Sequence, residues 1–132
     1  ASSFGVLGRF QLEAAIQSVH VARRETGRTD WTALAQLYAG LIAFYPTLGA
    51  AVSRAAVIAE SHGPDEGLAM LDRVEGTESY QPAFAVRAHC LAALGRTAEA
   101  LAAYDAAIAL CTDLPSRRWL LAKTESLRHQ LS

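Results

Sequence analysis

The amino-acid sequence predicts an all-α fold of about seven helices, arranged as antiparallel hairpins that stack on one another. No stretch alternates apolar and polar residues for long enough to indicate a strand. Gly95 is suited to end one helix, and small and aromatic residues follow it at helical spacing, at Ala100, Tyr104 and Ala107. The third observation is that this glycine-led unit recurs earlier in the chain.

The recurring unit is found by going back 33 residues, and then 33 again, from the three positions after Gly95. The equivalent positions are Gly67, Leu71 and Val74, and then Leu34, Tyr38 and Leu41. A glycine precedes each of the three sets, at Gly27, Gly63 and Gly95. The spacing resembles that of the tetratricopeptide repeat, which implies a right-handed array whose hairpins cover one another's apolar faces. Chance similarity between alanine-rich amphipathic helices is the alternative explanation.

Start and stop signals place the first three helices. Apolar residues with helical spacing run from residue 8 or 9 to residue 26, and a glycine then ends the first helix. Asp30 is a good N-cap for the second helix, which Pro46 stops. Thr47 is the expected N-cap of the third helix, and the His-Gly-Pro turn at residues 62–64 ends it.

Four further helices complete the predicted domain. Pro64 suits the first turn of the fourth, which we expect to reach Gly76. The fifth helix covers about residues 81–94, and the sixth covers about 98–111 after an N-cap at Thr97. Pro115 opens a seventh, capping helix whose polar outer residues are Arg117, Lys123, Glu125, Arg128 and Gln130. The predicted repeats are about residues 9–45, 47–76 and 79–112, with the capping helix at 115–131, in one domain of residues 1–132.

Composition favours a soluble, cytoplasmic protein. Hydrophobic residues make up 52% of the 132 residues, which is enough for one core. The formal net charge of -1 is unlike that of domains that bind nucleic acid, which concentrate Lys and Arg on one face. Cys90 and Cys111 show no metal-binding spacing and are expected to be buried in a reducing compartment. No apolar run is long enough to cross a bilayer.

A family resemblance covers nearly the whole chain. Its motifs are, in order, Gly8-Arg9-Phe10-Gln11-Leu12-Glu13-Ala14-Ala15-Ile16 with His20, Thr29-Asp30-Trp31 before Leu37-Tyr38, Arg54-Ala55 before Gly63-Pro64 and Gly67-Leu68, and Leu94-Gly95-Arg96 with Glu99-Ala100. Together they resemble the tetratricopeptide-like C-terminal extension of one group of bacterial extracytoplasmic-function (ECF) sigma factors. In that family the extension follows a core that binds DNA and RNA polymerase. The resemblance implies a domain of a transcription initiation factor, present here without its core.

The chain departs from the family pattern at two places. The family usually has proline and tyrosine where Arg9 and Phe10 stand, and asparagine where Ser53 stands. A partner contact made by that asparagine would be altered here. The sequence opens at Ala1 without a methionine, which fits either a processed protein or a piece of a longer one, and the resemblance favours a fragment of a longer sigma factor.

Six polar residues are candidate contacts with a partner protein: Gln11, Glu13, His20, Arg54, Arg87 and His89. Those on the first helix either form a solvated face or dock onto the sigma core, and His20 is expected to join the first two helices by a hydrogen bond. Arg54 and Arg87 lie on the first helices of the second and third repeats, which line the concave surface of tetratricopeptide arrays. Each either binds a carboxylate of a peptide or pairs with Glu60 or another nearby acid. His89 is a weaker member of the same set.

Patterns for catalysis or metal binding are missing from the sequence. No HExxH or other close ligand pair is formed by the histidines, which are His20, His62, His89 and His129, so no metal and no cofactor is expected. The serines lack a GxSxG context, and the cysteines lack nearby acid-base partners. We therefore expect that the protein is not an enzyme. Trp31 and Trp119 are interpreted as packing residues of the core or of the end of the array.

The function implied by the resemblance is that of a regulatory protein-interaction domain acting in transcription initiation. Its expected partners are its own sigma-factor core, RNA polymerase through the full-length protein, and a regulator protein. Direct binding of nucleic acid or of a membrane is not expected, and a homodimer is left open. The alternative is a free-standing helical-repeat scaffold that binds a peptide or a small ligand.

Overall fold

The computed structural model describes the backbone of residues 3–131 and the side chains of residues 11–130. Within these residues the chain is all-α, with seven helices and no strand, as predicted. The helices are α1 Ser3–Thr26, α2 Trp31–Phe44, α3 Leu48–Ser61, α4 Pro64–Asp72, α5 Gln81–Ala93, α6 Thr97–Leu110 and α7 Leu114–Leu131. The family-related side chains of Arg9 and Phe10, and the opening residue Ala1, lie outside the described residues.

The starts of α2 and α3 use the predicted capping residues. The backbone N–H of Ala33 donates to Oδ1 of Asp30 at 3.0 Å, and the N–H of Ala50 donates to Oγ1 of Thr47 at 3.1 Å. Each bond satisfies an amide that the first turn of a helix otherwise leaves without a partner. The end of α2 before Pro46 is also as predicted, since a proline disfavours the helical conformation in the residue before it.

The predicted N-cap of α6 is wrong. Thr97 is the first helical residue, and Arg96 occupies the N-cap position without a side-chain capping bond. The carbonyl of Arg96 already accepts the backbone N–H of Ala100 at 3.0 Å, so the helix begins one residue earlier than expected. The guanidinium of Arg96 instead binds the Glu99 carboxylate through Nε at 3.0 Å and Nη2 at 2.6 Å.

Three other helix ends differ from the sequence prediction. α7 begins at Leu114, because Oδ2 of Asp113 accepts the backbone N–H of Ser116 at 2.9 Å and caps the first turn. α4 ends at Asp72, because the N–H of Val74 closes a tight turn onto the carbonyl of Leu71 at 3.0 Å. α1 begins at Ser3, several residues before the predicted start, so the glycines of this segment lie within the helix.

The turn at Gly95 shows why a glycine leads each repeat. Its φ of 79° lies in the left-handed region, where a side chain is strained. The N–H of Arg96 donates to the carbonyl of Leu91 at 2.9 Å, and the N–H of Gly95 donates to the carbonyl of Ala92 at 3.1 Å. These two bonds form a Schellman motif, which satisfies the last carbonyls of α5. The equivalent glycines, Gly27 and Gly63, also have positive φ values.

The core runs along the stack of helices. Each helix packs against the next one in the chain, and α3 also contacts α5. Buried residues form three successive clusters, which join α1 to α3, α3 to α5, and α3 to α7. Most of the 33-residue columns are buried: Leu34, Leu41, Gly67, Leu71, Ala100, Tyr104 and Ala107. The exceptions are the half-buried Tyr38 and Val74, and Val74 lies beyond the end of α4.

Helix α7 covers the end of the described array. Leu120, Thr124 and Leu127 are buried on its inner face, and the hydroxyl of Thr124 donates to the carbonyl of Leu120 at 2.9 Å. The predicted outer residues are all exposed: Arg117, Lys123, Glu125, Arg128 and Gln130. In the described residues, no helix combines the length and the hydropathy that spanning a membrane requires.

Candidate functional site

An apolar groove lies over α5, between α3 on one side and α7 on the other. Its volume is about 270 Å³. We call it the α5 groove, and its lining residues are Trp31, Ala56, Val57, Glu60, Ala85, Val86, His89 and Trp119. Six of these eight residues are apolar, and two of them are the only tryptophans of the chain. The groove is therefore an apolar surface open to solvent.

Helical periodicity places these residues on one face of each helix. Ala56, Val57 and Glu60 are neighbours on α3, and Ala85, Val86 and His89 repeat the same spacing on α5. The positions just beside them, such as Ala55 and Ala88, are fully buried. The small buried residues thus pack each helix against its neighbours, and the adjacent face of each helix lines the groove.

One polar pair crosses the groove from α3 to α5. Nε2 of His89 lies 3.0 Å from Oε1 of Glu60, and the two side chains are 57% and 40% exposed. A pair this exposed contributes at most about 1 kcal/mol to stability, because water competes for both groups. The carboxylate of Glu60 is therefore available to a partner at little cost to the fold.

Trp119 is a surface residue of α7, so its interpretation as a core residue is wrong. Its side chain is 53% exposed, and Nζ of Lys123 lies 5.4 Å from its ring centroid. The buried face of α7 is made by Leu120 and Leu127, which leaves the adjacent position 119 facing the groove. Trp31 is half-buried against the first core cluster, so for this residue the packing interpretation holds in part.

The α5 groove continues in both directions between α5 and α7. At one end it shares Ala85, Val86 and Trp119 with an opening of about 470 Å³ that Gln81, Pro82, Pro115 and Ser116 also line. At the other end it shares His89 with an opening of about 290 Å³ that includes Lys123 and Gln130. The accessible surface therefore follows α5 along its length.

Of the six predicted contact residues, only His89 lines the α5 groove. Arg87 lies on another side of α5, where its Nη1 pairs with Oδ1 of Asp72 at 2.7 Å. The prediction that Arg87 and His89 belong to one set is wrong, because residues two apart on an α-helix point to nearly opposite sides. Pairing of Arg87 with a nearby acid is confirmed, although the acid is Asp72 and not Glu60.

Arg54 is half-buried on α3 and lies outside the groove. Ala50 and Val57, one turn before and after it, belong to the cluster that α3 forms with α1 and α2. Its Nε is buried and has no hydrogen-bond partner among the described residues. Glu60, its predicted partner, binds His89 instead.

The three candidates on α1 do not line the groove either. Gln11 is exposed, and Glu13 and His20 are half-buried. Within residues 11–130 the His20 ring makes no hydrogen bond to α2, so the predicted bond between the first two helices is wrong. The α2 residues that share the first core cluster with α1 are apolar or aromatic.

A separate opening, of about 450 Å³, lies among α4, α5 and α6. Its charged residues are paired with one another, Arg87 with Asp72 and Arg96 with Glu99. Glu60 and His89 of the α5 groove form a pair of similar exposure, so pairing does not distinguish the two openings. The α5 groove has two polar lining residues against four charged ones here, and this more apolar lining makes it the better candidate for a binding site.

The described residues contain no group of three or more His, Cys, Asp or Glu side chains that would hold a metal ion. Cys90 is fully buried in the third core cluster, with Leu91 and Ala100 among its members. Burial, and to a smaller extent the negative charge of Glu60, raises the pKa of the Cys90 thiol to about 11. The thiol is therefore protonated at neutral pH and enclosed by the core.

The two cysteines are expected to differ in reactivity. At pH 8, a water-soluble disulfide reagent should modify the half-buried Cys111 at least about ten times faster than Cys90. The reagent reaches the buried Cys90 only when the core opens transiently. The time course of reagent consumption measures both rates. Cys111→Ser should remove the fast phase alone, and equal rates for the two thiols would contradict the burial of Cys90.

Comparison with known proteins gives a distant relative and shows no family. No protein-family model matches the chain. An uncharacterized protein of Rhizobium meliloti (strain 1021) is 31% identical over 121 residues, which is 91% of this chain and 29% of that protein. The chain thus spans less than a third of the curated relative that it matches.

Proposed function

We propose that this chain is a regulatory protein-interaction domain of an ECF-type RNA polymerase sigma factor. In this proposal it acts in transcription initiation through a separate core that binds DNA and polymerase. The observation that carries the interaction part is the α5 groove, an apolar surface with a half-exposed tryptophan at its edge. Concave, mostly apolar surfaces with a few polar groups are typical of binding sites.

The transcription part depends on the order of the family-like motifs. Several of them coincide with turns and caps: Asp30 caps α2, Gly63-Pro64 joins α3 to α4, and Gly95 ends α5. The motifs therefore account for the shape of the array, and the sigma-factor assignment comes from the resemblance. The Rhizobium meliloti protein is compatible with a domain attached to a larger protein, because the match covers only 29% of its length.

Transcription in vitro tests this proposal directly. The full-length protein is compared with a version that ends before Ala1, each with purified RNA polymerase on a promoter that the full-length protein uses. We expect removal of this domain to change transcript yield by roughly fivefold or more, the lower end of typical coupling between sites. Equal transcription by both proteins under every condition tried would overturn the proposal.

The second candidate function is a free-standing scaffold that binds a peptide or a small ligand. The α5 groove suits this function equally well, because its lining carries no feature that is specific to transcription. The full reading frame of the natural gene distinguishes the two candidate functions. A region with a helix-turn-helix fused ahead of Ala1 supports the sigma factor, and its absence supports the scaffold.

A further inference from the structure

We infer that the α5 groove binds an amphipathic α-helix of a partner protein, and that a Lys or Arg of this helix pairs with Glu60. The inference rests on the proposed function only in taking the chain to be a protein-binding module. It is independent of the identity of the partner, and it would hold for the sigma factor and for the scaffold alike.

The polarity of the lining favours a helix over an extended peptide. An extended peptide presents unpaired N–H and C=O groups, which must find partners in the groove. The groove proper offers Glu60 and His89 as its polar side chains, and its other lining residues are apolar. A helix satisfies its own backbone groups and needs only apolar surface along one stripe.

The dimensions of the surface are consistent with a helix. α5 has 13 residues and is therefore about 20 Å long. The groove and its two extensions follow this length, since they share Ala85, Val86 and Trp119 at one end and His89 at the other. A partner helix of about four turns would place apolar residues at each successive turn along this surface.

Charges on the two sides of the groove define the chemistry of the partner. Glu60, on the α3 side, is the acid among the described residues that line the groove. Lys123, on the α7 side, lies against Trp119 and lines the adjoining opening. A basic side chain of the partner is attracted to the α3 side and repelled from the α7 side. In the bound state it takes the place that His89 holds beside Glu60.

Fluorescence titration tests the inference, because both tryptophans of the chain line the groove. The probe is a synthetic amphipathic helix of about four turns, with a leucine stripe, no aromatic residue and one lysine beside the stripe. We expect binding to shift the tryptophan emission to shorter wavelength, with a dissociation constant between about 1 and 100 μM.

A double-substitution cycle tests the pairing with Glu60. Replacing the peptide lysine by glutamine, or Glu60→Gln in the protein, should each weaken binding by roughly threefold. Both changes together should weaken it no more than either alone, because each removes the same pair. Independent, multiplying effects would overturn the pairing.

Two variants of exposed aromatic residues test whether the peptide binds at the α5 groove. Trp119→Ala should weaken binding by at least about tenfold, with Trp31 kept as the reporter. Phe44→Ala is the control, because Phe44 is 61% exposed and lies outside the groove. Neither variant removes a buried side chain, and circular dichroism will verify the fold of both. Absence of binding at about 1 mM peptide, or equal losses for the two variants, would overturn the inference and leave the transcription experiment unaffected.

Discussion

Leu71→Ala is expected to destabilise the chain by about 3 kcal/mol and to lower its melting temperature by about 10 °C. The Leu71 side chain is 1% exposed and belongs to the cluster that joins α3, α4 and α5. Its neighbours there include Val52, Ala55 and Ala83, which are held in helices and are too short to fill the space. The substitution therefore leaves a cavity as well as removing apolar contact.

Leu121→Ala is the matched control for this experiment. Leu121 is 48% exposed on α7, so the same chemical change should cost less than about 0.5 kcal/mol. Urea unfolding of both variants, followed by circular dichroism, gives the two free energies. Similar losses for the two leucines would contradict the position of Leu71 in the core.

Gly67→Ala is expected to destabilise the chain by about 2 kcal/mol. A Cβ at Gly67 would lie 2.5 Å from Cβ of Ala59 and 2.9 Å from the backbone oxygen of Ala55. Neither atom is part of a flexible side chain, so α3 and α4 must move apart. The higher helix propensity of alanine, about 1 kcal/mol, offsets only part of this cost.

Gly40→Ala is the control, and its expected effect on stability has the opposite sign. A Cβ at Gly40, in the middle of α2, would meet the Leu12 side chain at 3.4 Å, which is ordinary contact. We expect this variant to be as stable as the original chain or up to about 1 kcal/mol more stable. Thermal unfolding compares the two variants, and a stabilising Gly67→Ala would contradict the close approach of α3 and α4.

Local signals in the sequence predict most of the fold. Asp30 and Thr47 cap α2 and α3 as expected, since a capping bond depends on residues three positions apart. Most positions of the 33-residue columns are buried, as expected if each hairpin repeats the same contact with its neighbour. The sequence does not single out Asp113 as the cap of α7, because Pro115 gives a competing start signal two residues later.

The candidate site depends on contacts that the sequence pattern does not contain. Glu60 and His89 are 29 residues apart and meet only because α3 packs beside α5. Trp119 and the adjacent Leu120 both suit an apolar helix face, and only the rotation of α7 on α6 decides which one is buried. The sequence prediction selects polar residues by their place in the repeats and in the family-like motifs, whereas the groove consists mainly of alanine, valine and tryptophan.

Site-specific photocrosslinking in the full-length protein tests most directly whether the α5 groove is the surface that holds a partner. A photoreactive phenylalanine analogue replaces Trp119 in the groove or, as the control, the more exposed Phe44 outside it. Under the proposed function, with purified RNA polymerase present, the analogue at position 119 should crosslink to the sigma core or to a polymerase subunit, and the one at position 44 should not. Crosslinking from position 44 and none from position 119 would contradict the groove as the binding site.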